Sequence, residues 1–526
     1  MEKKELLLER LKEYGKAGWY PFHMPGHKRQ AADTVLGEMG NPFSIDITEI
    51  AEFDNLHHPE GILKKSMEWA ASVYGADRTW YLVNGSSGGI LSALSAVARP
   101  GETVLVARNC HKAVYHGVIL NRLNIHYLYP QIIPEMGIQG SISPDAVEKS
   151  LIEHPEIRAV VIVSPTYDGV VSDVGEIARV THEHGIPLVV DEAHGAHFSF
   201  GKMADGRSLF PESAVTCGAD IVIQSLHKTL PSMTQTAVLH MQGNLVDEGR
   251  LERYLQMYQS SSPSYVFMAG IEACIFEMEQ KGKERIQAFA GRLARLRERL
   301  LEMRHLVILD ERTVKREGTW EIRDPGKVNG FLAKPLWYAL DCSRIVISCR
   351  NCVLPGKNKA CNERKALSGA MLMERLREEY QLEMEMCGAD YVVAITTVMD
   401  TEEGLNRLAD GLLAIDGMLE RDQLPLRNGW TAGEPVMNIA DALDAPACKR
   451  QIAETAGHIS AEFVYLYPPG IPILVPGEQI REDVLNTILE YKEQGLPVQG
   501  MEDRDCKLLD TVQIGLCTRC ADCTKM

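Results

Sequence analysis

Lys228 follows an apolar run in "DIVIQSLHKTLPSM" (220–233), flanked by His227 and Thr229. An amine at a strand end, in surroundings that keep it partly deprotonated, can condense with an aldehyde. Asp191 ends a second apolar run, "PLVVDEAHGAHF" (187–198). A buried carboxylate needs a partner, and a protonated ring nitrogen is one. "NGSSGGILSAL" (84–94) places Ser86 and Ser87 among Gly85, Gly88 and Gly89, just before a helix-like segment. The free N–H groups and dipole of such a helix start favour a phosphate. The string is neither a Walker loop nor a GxGxxG turn. His111, in "RNCHKAVYHG" (108–117), can stack on a flat aromatic ring. Each feature alone has an ordinary explanation: a surface lysine, an N-cap or ion-paired aspartate, a Gly/Ser turn, a loop histidine.

Chemistry requires that these four be brought together, and the intervening pattern provides for it. "TVLVA" (103–107), "AVVIVS" (159–164), "PLVVDEA" (187–193) and "DIVIQS" (220–225) read as buried strands. Helix-like stretches such as "GGILSALSAVA" (88–98) and "DVGEIARVTHEHG" (173–185) separate them. Continuous apolar strands alternating with helices imply a mostly parallel sheet covered on both faces. Ligands of such sheets sit at the carboxyl ends of the strands, where Asp191 and Lys228 lie. Together the four features amount to a phosphate cradle, an imine-forming amine, an acid for a ring nitrogen and a stacking ring.

Around this unit the chain divides into four regions. Residues 1–45 form an arm of one charged amphipathic helix and the loop "YPFHMPGHKRQ". Residues 46–305 form the large domain, ending in a long helix over 266–305. Residues 306–425 mix strands and helices as a smaller domain. Residues 426–526 carry "FVYLYPPGIPILVPGE" (463–478), whose prolines enforce an extended path, and a Cys-rich tail. With 526 residues, three or four domains of ~150 residues are expected. The 45% hydrophobic content suits sizeable cores, and the net charge of −17 argues against a nucleic-acid binder and mildly favours cationic small molecules. No signal-peptide core and no run of ~20 apolar residues is present, so a cytoplasmic location is expected, with the thirteen cysteines reduced.

The order phosphate loop, His, Asp, Lys on an α/β sheet resembles the fold-type I pyridoxal-phosphate enzymes. "FHMPGHK" (22–28), "DITEIAEFDNLHHPEG" (46–61), "VNGSSGG" (83–89), "RNCHK", "VDEAHGAHF", "SLHKTLPSMTQTAVLH" (225–240), "SSSPSY" (260–265) and "YPPGIPILVPGE" narrow the resemblance to the Orn/Lys/Arg decarboxylase family, in its shorter, Bacillus-type arginine decarboxylase form. The resemblance implies an α/β fold-type I transferase fold, with a mostly parallel large domain and a smaller α+β C-terminal domain. It implies pyridoxal 5'-phosphate held by Lys228, with Asp191 paired to the pyridine nitrogen and His111 stacked on the ring. Ser86, Ser87, Ser225 and His227 match the phosphate positions, and His194 the position lining the ring near Asp191, which is Trp in some longer members. Ser260 matches a residue that reaches the phosphate of a neighbouring subunit, which implies a homodimer or higher homo-oligomer with shared sites. The implied reaction is decarboxylation of a basic L-amino acid to its amine and CO2, with arginine favoured over lysine or ornithine and polyamine synthesis as one use.

Recognition of the substrate side chain stays open between Glu49, Asp54 and Glu478, each of which also reads as a structural salt bridge or cap. An aminotransferase or lyase would share Lys228 and Asp191 but lack the flanking strings. A regulatory or assembly protein on this fold would be expected to have lost one of the two. The tail brings Cys506, Cys517, Cys520 and Cys523 together as thiolate candidates for a metal, but without paired CxxC spacing. Cys349, Cys352 and Cys361 form a second, weaker group.

Overall fold

The computed structural model describes residues 7–133, 136–310, 338–355, 364–422 and 432–513, and the backbone of 313–316 and 319–322. Its centre is a seven-stranded sheet with the order Arg78–Leu82, Ala237–Met241, Ile221–Gln224, Leu188–Asp191, Ile157–Val163, Thr103–Ala107, Asn124–Leu128. Ala237–Met241 runs antiparallel to both of its neighbours and the other pairings are parallel. The central strands are apolar at consecutive positions because both faces are covered: every residue of Thr103–Ala107 and of Ile221–Gln224 is buried. Each expected strand appears within two residues of its reading. The expected long helix runs Tyr265–Leu300, started by Ser264, whose hydroxyl accepts from Phe267 N.

A second sheet, antiparallel, has the order Val307–Ile308, Arg344–Ser348, Tyr391–Ile395, Met386–Cys387. The helix Gly369–Tyr380 packs beside it and against Glu402–Asp416, which packs against the long helix. The N-terminal arm is joined to this part of the molecule: Tyr20–Phe22 pairs in parallel with Leu382–Met384. Towards the C-terminus, Val464–Leu466 lies between Pro472–Leu474 and Val498–Gln499, and Ala447–Gln451 pairs with Leu508–Val512. Helix Glu482–Glu493 closes a separate apolar cluster that includes Val464, Leu474, Val484 and Ile488. Among the described residues, no helix is long and apolar enough to cross a membrane.

Candidate active site

Every residue of the expected constellation except Ser260 emerges from the carboxyl edge of the large sheet. Asp191 is the last residue of its strand and pairs in register with Ile223. The strand Ile221–Gln224 then passes through Ser225 into one short turn, Leu226–Thr229, which carries His227 and Lys228. The Gly85–Val97 helix begins two residues beyond its strand, with Gly85 at φ +70°, a left-handed conformation that glycine adopts without strain. His111 caps the helix Lys112–Leu120, its Nδ1 accepting from Ala113 N at 3.2 Å.

These residues, Ser225 excepted, line one cavity of about 350 Å³, which contains Ser86, Ser87, His111, Asp191, His194, His227 and Lys228; Ser225 is fully buried just behind it in the chain. Met24 of the arm, Tyr167 and Tyr467–Pro469 complete its wall. Two loops from distant sequence are pinned there. Gly26 N donates to His227 O at 2.7 Å, and a Cβ on Gly26 would stand 2.7 Å from Leu230 O, so only glycine fits that approach. The proline-rich segment is tied to the histidine loop by Lys112 N, which donates to Gly470 O at 3.0 Å, and by the Lys112 ammonium over the Tyr465 and Tyr467 rings.

Burial drives the electrostatics. It lowers the Lys228 amine below the ordinary lysine value, with Asp191 and Glu385 opposing and Arg344 adding to the effect. It raises the Asp191 carboxyl, with Lys228 opposing. The His111 imidazole is pushed down to about 3, first by burial and then by Lys228 and Lys112, so it stays a neutral ring. His194 is also held neutral, and its tautomer follows from its neighbours. Arg344 Nη2 lies 3.2 Å from His194 Nδ1, and a guanidinium only donates. The histidine proton therefore sits on Nε2, which faces Lys228 Nζ at 3.0 Å. That N–H points at a nitrogen able to accept only as a free amine, in agreement with the lowered Lys228.

The donor set fits pyridoxal phosphate. Ser225 Oγ is a buried hydroxyl without a hydrogen-bond partner, directly before the Lys228 turn. Together with Ser86, Ser87 and the start of a thirteen-residue helix it answers to a phosphate. Asp191 spends one oxygen on Ala193 N and lies on the same cavity wall as Lys228.

Several expected residues stand elsewhere. Ser260 is exposed on the loop between Glu248–Tyr258 and the long helix, outside the cavity of its own chain, and its hydroxyl donates to Ser262 O. None of the three side-chain recognition candidates lines the cavity. Glu478 forms a buried bidentate pair with Arg108, at 2.8 and 3.0 Å, because two oppositely charged groups with no water must satisfy each other. Asp54 accepts from the backbone N–H groups of Glu60, Gly61, Leu63 and Lys64 and starts the Ile62–Tyr74 helix. Glu49 keeps one buried carboxyl oxygen without a partner. Cys517, Cys520, Cys523 and Cys361 lie outside the described residues. Cys506 is a buried free thiol, as are Cys349 and Cys352, and among the described residues no cysteine belongs to a cluster of three potential metal ligands. Sequence reasoning missed Met24, Tyr167, Arg344 and Glu385. "SPTYDG" (164–169), directly past the Ile157–Val163 strand, was a readable signal for Tyr167, since polar residues there fall on the ligand edge of the sheet. Arg344 and Glu385 carried none.

The fold and site define a pyridoxal-phosphate enzyme of fold type I. Residues 6–403 match the Orn/Lys/Arg decarboxylase major domain and 432–495 the C-terminal domain of the same family. The chain is 30% identical to the arginine decarboxylase of Bacillus anthracis over 514 residues, 96% of this chain and 97% of that protein. It is also 30% identical to the arginine decarboxylase of Bacillus subtilis over 512 residues, 96% of each chain. Among solved structures, the constitutive lysine decarboxylase of E. coli superposes with a TM-score of 0.70 at 21% identity, covering 96% of this chain and 81% of that one. A serine palmitoyltransferase of Sphingomonas wittichii superposes at 0.53 and 15% identity, over 76% and 88% of the two chains. The chain belongs to the Orn/Lys/Arg decarboxylase family. It is a pyridoxal-phosphate-dependent decarboxylase of basic amino acids, and this reading prevails over an aminotransferase, another lyase or a non-catalytic protein.

Proposed function

We propose that this enzyme converts L-arginine and a proton to agmatine and CO2. The observation that carries the reading is the buried Lys228 amine at the carboxyl edge of the sheet, 3.0 Å from His194 Nε2 and in one cavity with Asp191. Arginine is favoured over lysine and ornithine by the likeness to the two Bacillus arginine decarboxylases along nearly the whole chain.

When bound, pyridoxal phosphate supplies the electron sink that allows a bond at the amino acid's Cα to break. The chain's own groups do the rest. Lys228 would hold the cofactor through its side-chain amine. Asp191 would pair with the ring nitrogen and keep it protonated. His111, a neutral imidazole, would stack on the cofactor ring, while Ser86, Ser87, Ser225 and His227 would hold the phosphate. His194 presents its Nε2 proton to the nitrogen of Lys228. Met24 and Tyr467–Pro469 keep water from the reacting atoms.

We place the enzyme in the cytoplasm as a homodimer, with Ser260 reaching the phosphate of the other subunit. Phe43, Ile50 and Phe53 are exposed in the segment whose His57 Nε2 contacts Ser260 O, which supports a covered face there. The regions 1–45, 46–305, 306–425 and 426–526 are proposed as its domains. Incubation with pyridoxal phosphate and arginine, lysine or ornithine separately, followed by mass identification of the product, tests the reaction. Agmatine is expected. Cadaverine or putrescine instead overturns the choice of arginine, and no amine from any of the three overturns the decarboxylase reading.

A further inference from the structure

Glu385 is 93% buried, with a relative exposure of 7%, and carries its carboxylate into the wall between two cavities. One oxygen accepts from the Tyr167 hydroxyl and the other from Met24 N at 2.9 Å. Tyr167 and Met24 both line the Lys228 cavity. Glu385 itself lines an open vestibule of about 500 Å³, which shares Met24 and Pro468 with that cavity. The glutamate thus stands where the two cavities adjoin, close enough that its charge opposes part of the lowering of the Lys228 amine by burial.

Among the described residues, the charge of Glu385 has no cation of its own. The neighbouring cations of the vestibule and its floor are engaged otherwise. Arg377 is paired with Glu383 at 2.8 Å, and buried Lys28 gives hydrogen bonds to His23 O and Ile395 O. His23 is kept neutral by burial, its Nδ1 against Met24 O. Among the described residues no Lys, Arg or His nitrogen lies within ion-pair distance of Glu385. A buried carboxylate with two neutral donors and no counter-charge is incompletely compensated, and it favours a cation that arrives with the ligand.

We propose that Glu385 accepts the cation at the far end of the substrate side chain, and so makes this site select a basic amino acid. The inference rests on the decarboxylase reading and deepens it. The guanidinium or ammonium, several bonds from Cα, lies towards the vestibule while the α-amine reaches Lys228. Tyr167 orients the carboxylate from the cavity side.

The test compares two inhibitors of equal length in wild type and Glu385→Gln. Agmatine carries a guanidinium, and N-carbamoylputrescine carries a neutral ureido group in its place. In the variant the inhibition constant for agmatine is expected to rise on the order of 10²-fold, with that for N-carbamoylputrescine nearly unchanged. Equal changes for both, or none for either, overturn the assignment. If Glu385→Gln is isolated without cofactor absorbance, Glu385→Asp takes its place. It keeps the charge one methylene further back, and is expected to weaken agmatine ~10-fold without moving N-carbamoylputrescine; equal shifts again overturn it. A wild-type enzyme that yields no amine from any basic amino acid overturns the underlying reading instead, which separates the two failures.

Discussion

A lysine next to a carboxylate would ordinarily be a charged pair, and at Lys228 burial changes that. Desolvation pushes the amine and the Asp191 carboxyl towards their neutral forms. The Nε2–H of His194, fixed by Arg344 behind it, fits the neutral amine. This is the state in which a lysine is a nucleophile. Lys228→Ala is therefore expected to lose the yellow absorbance of covalently held cofactor and to lower CO2 release by ~10³-fold or more. Spectra and CO2 assays check this, and normal turnover would refute the role given to Lys228.

At the scale of elements, the site depends on segments that reach it from other parts of the fold. The arm passes under the Lys228 turn so closely that Gly26 N bonds His227 O while Gly26 O accepts from Thr397 Oγ1, two residues past the second sheet's Tyr391–Ile395 strand. One glycine thus couples the arm, the lysine turn and the smaller domain. In Gly26→Ala the added Cβ meets only backbone, at 2.7–2.9 Å from Leu230 O, Leu230 N and Thr229 C, so the strap has to move away. A loss of about 1–3 kcal/mol is expected, with weaker cofactor binding than in wild type. Urea unfolding and cofactor titration measure the two effects, and unchanged values for both would contradict the coupling.

At the scale of the molecule, two buried features bear on stability. The Arg108–Glu478 pair ties the large domain to the proline-rich segment, with Arg108 Nη1 also donating to Pro472 O at 2.7 Å. Arg108→Met leaves Glu478 charged and unpaired, and should destabilise by about 3–5 kcal/mol in chemical unfolding. The second feature is a set of histidines buried as neutral rings. His111 and His240 are lowered to about 3 and His227 to about 4, each chiefly by burial. Unfolding returns them to about 6.5, so below that pH the unfolded chain binds protons the folded chain refuses. Stability then falls as pH drops from about 6.5 towards about 4, by about 1.4 kcal/mol per pH unit for each ring. Urea unfolding of cofactor-free protein at pH 7 and pH 5 should show the loss. His240→Gln, away from the cavity, should reduce it by about 2 kcal/mol.

The sequence by itself determined the sheet and the order of its chemistry. Runs such as Val104–Ala107 and Leu188–Val190 are apolar at consecutive positions because strands covered on both faces have no solvent side, and that pattern is local. The residue after such a run falls on the ligand edge, so Asp191, Lys228 and the Ser86–Ser87 turn were legible from position alone. Glu478 and Asp54 were legible as important acids but not as to their partners. A carboxylate reads the same in a chain whether it meets Arg108, a row of backbone N–H groups or a ligand. Tyr167, Arg344 and Glu385 come from elements more than 200 residues apart in part, and Met24 from an arm that pairs with Leu382–Met384. Their convergence is set by packing between domains, which leaves no periodicity or spacing in the chain. Tertiary structure alone decided which nitrogen of His194 holds the proton and which acid is left without a cation among the described residues, because both depend on what else is within about 3 Å in a site closed to water.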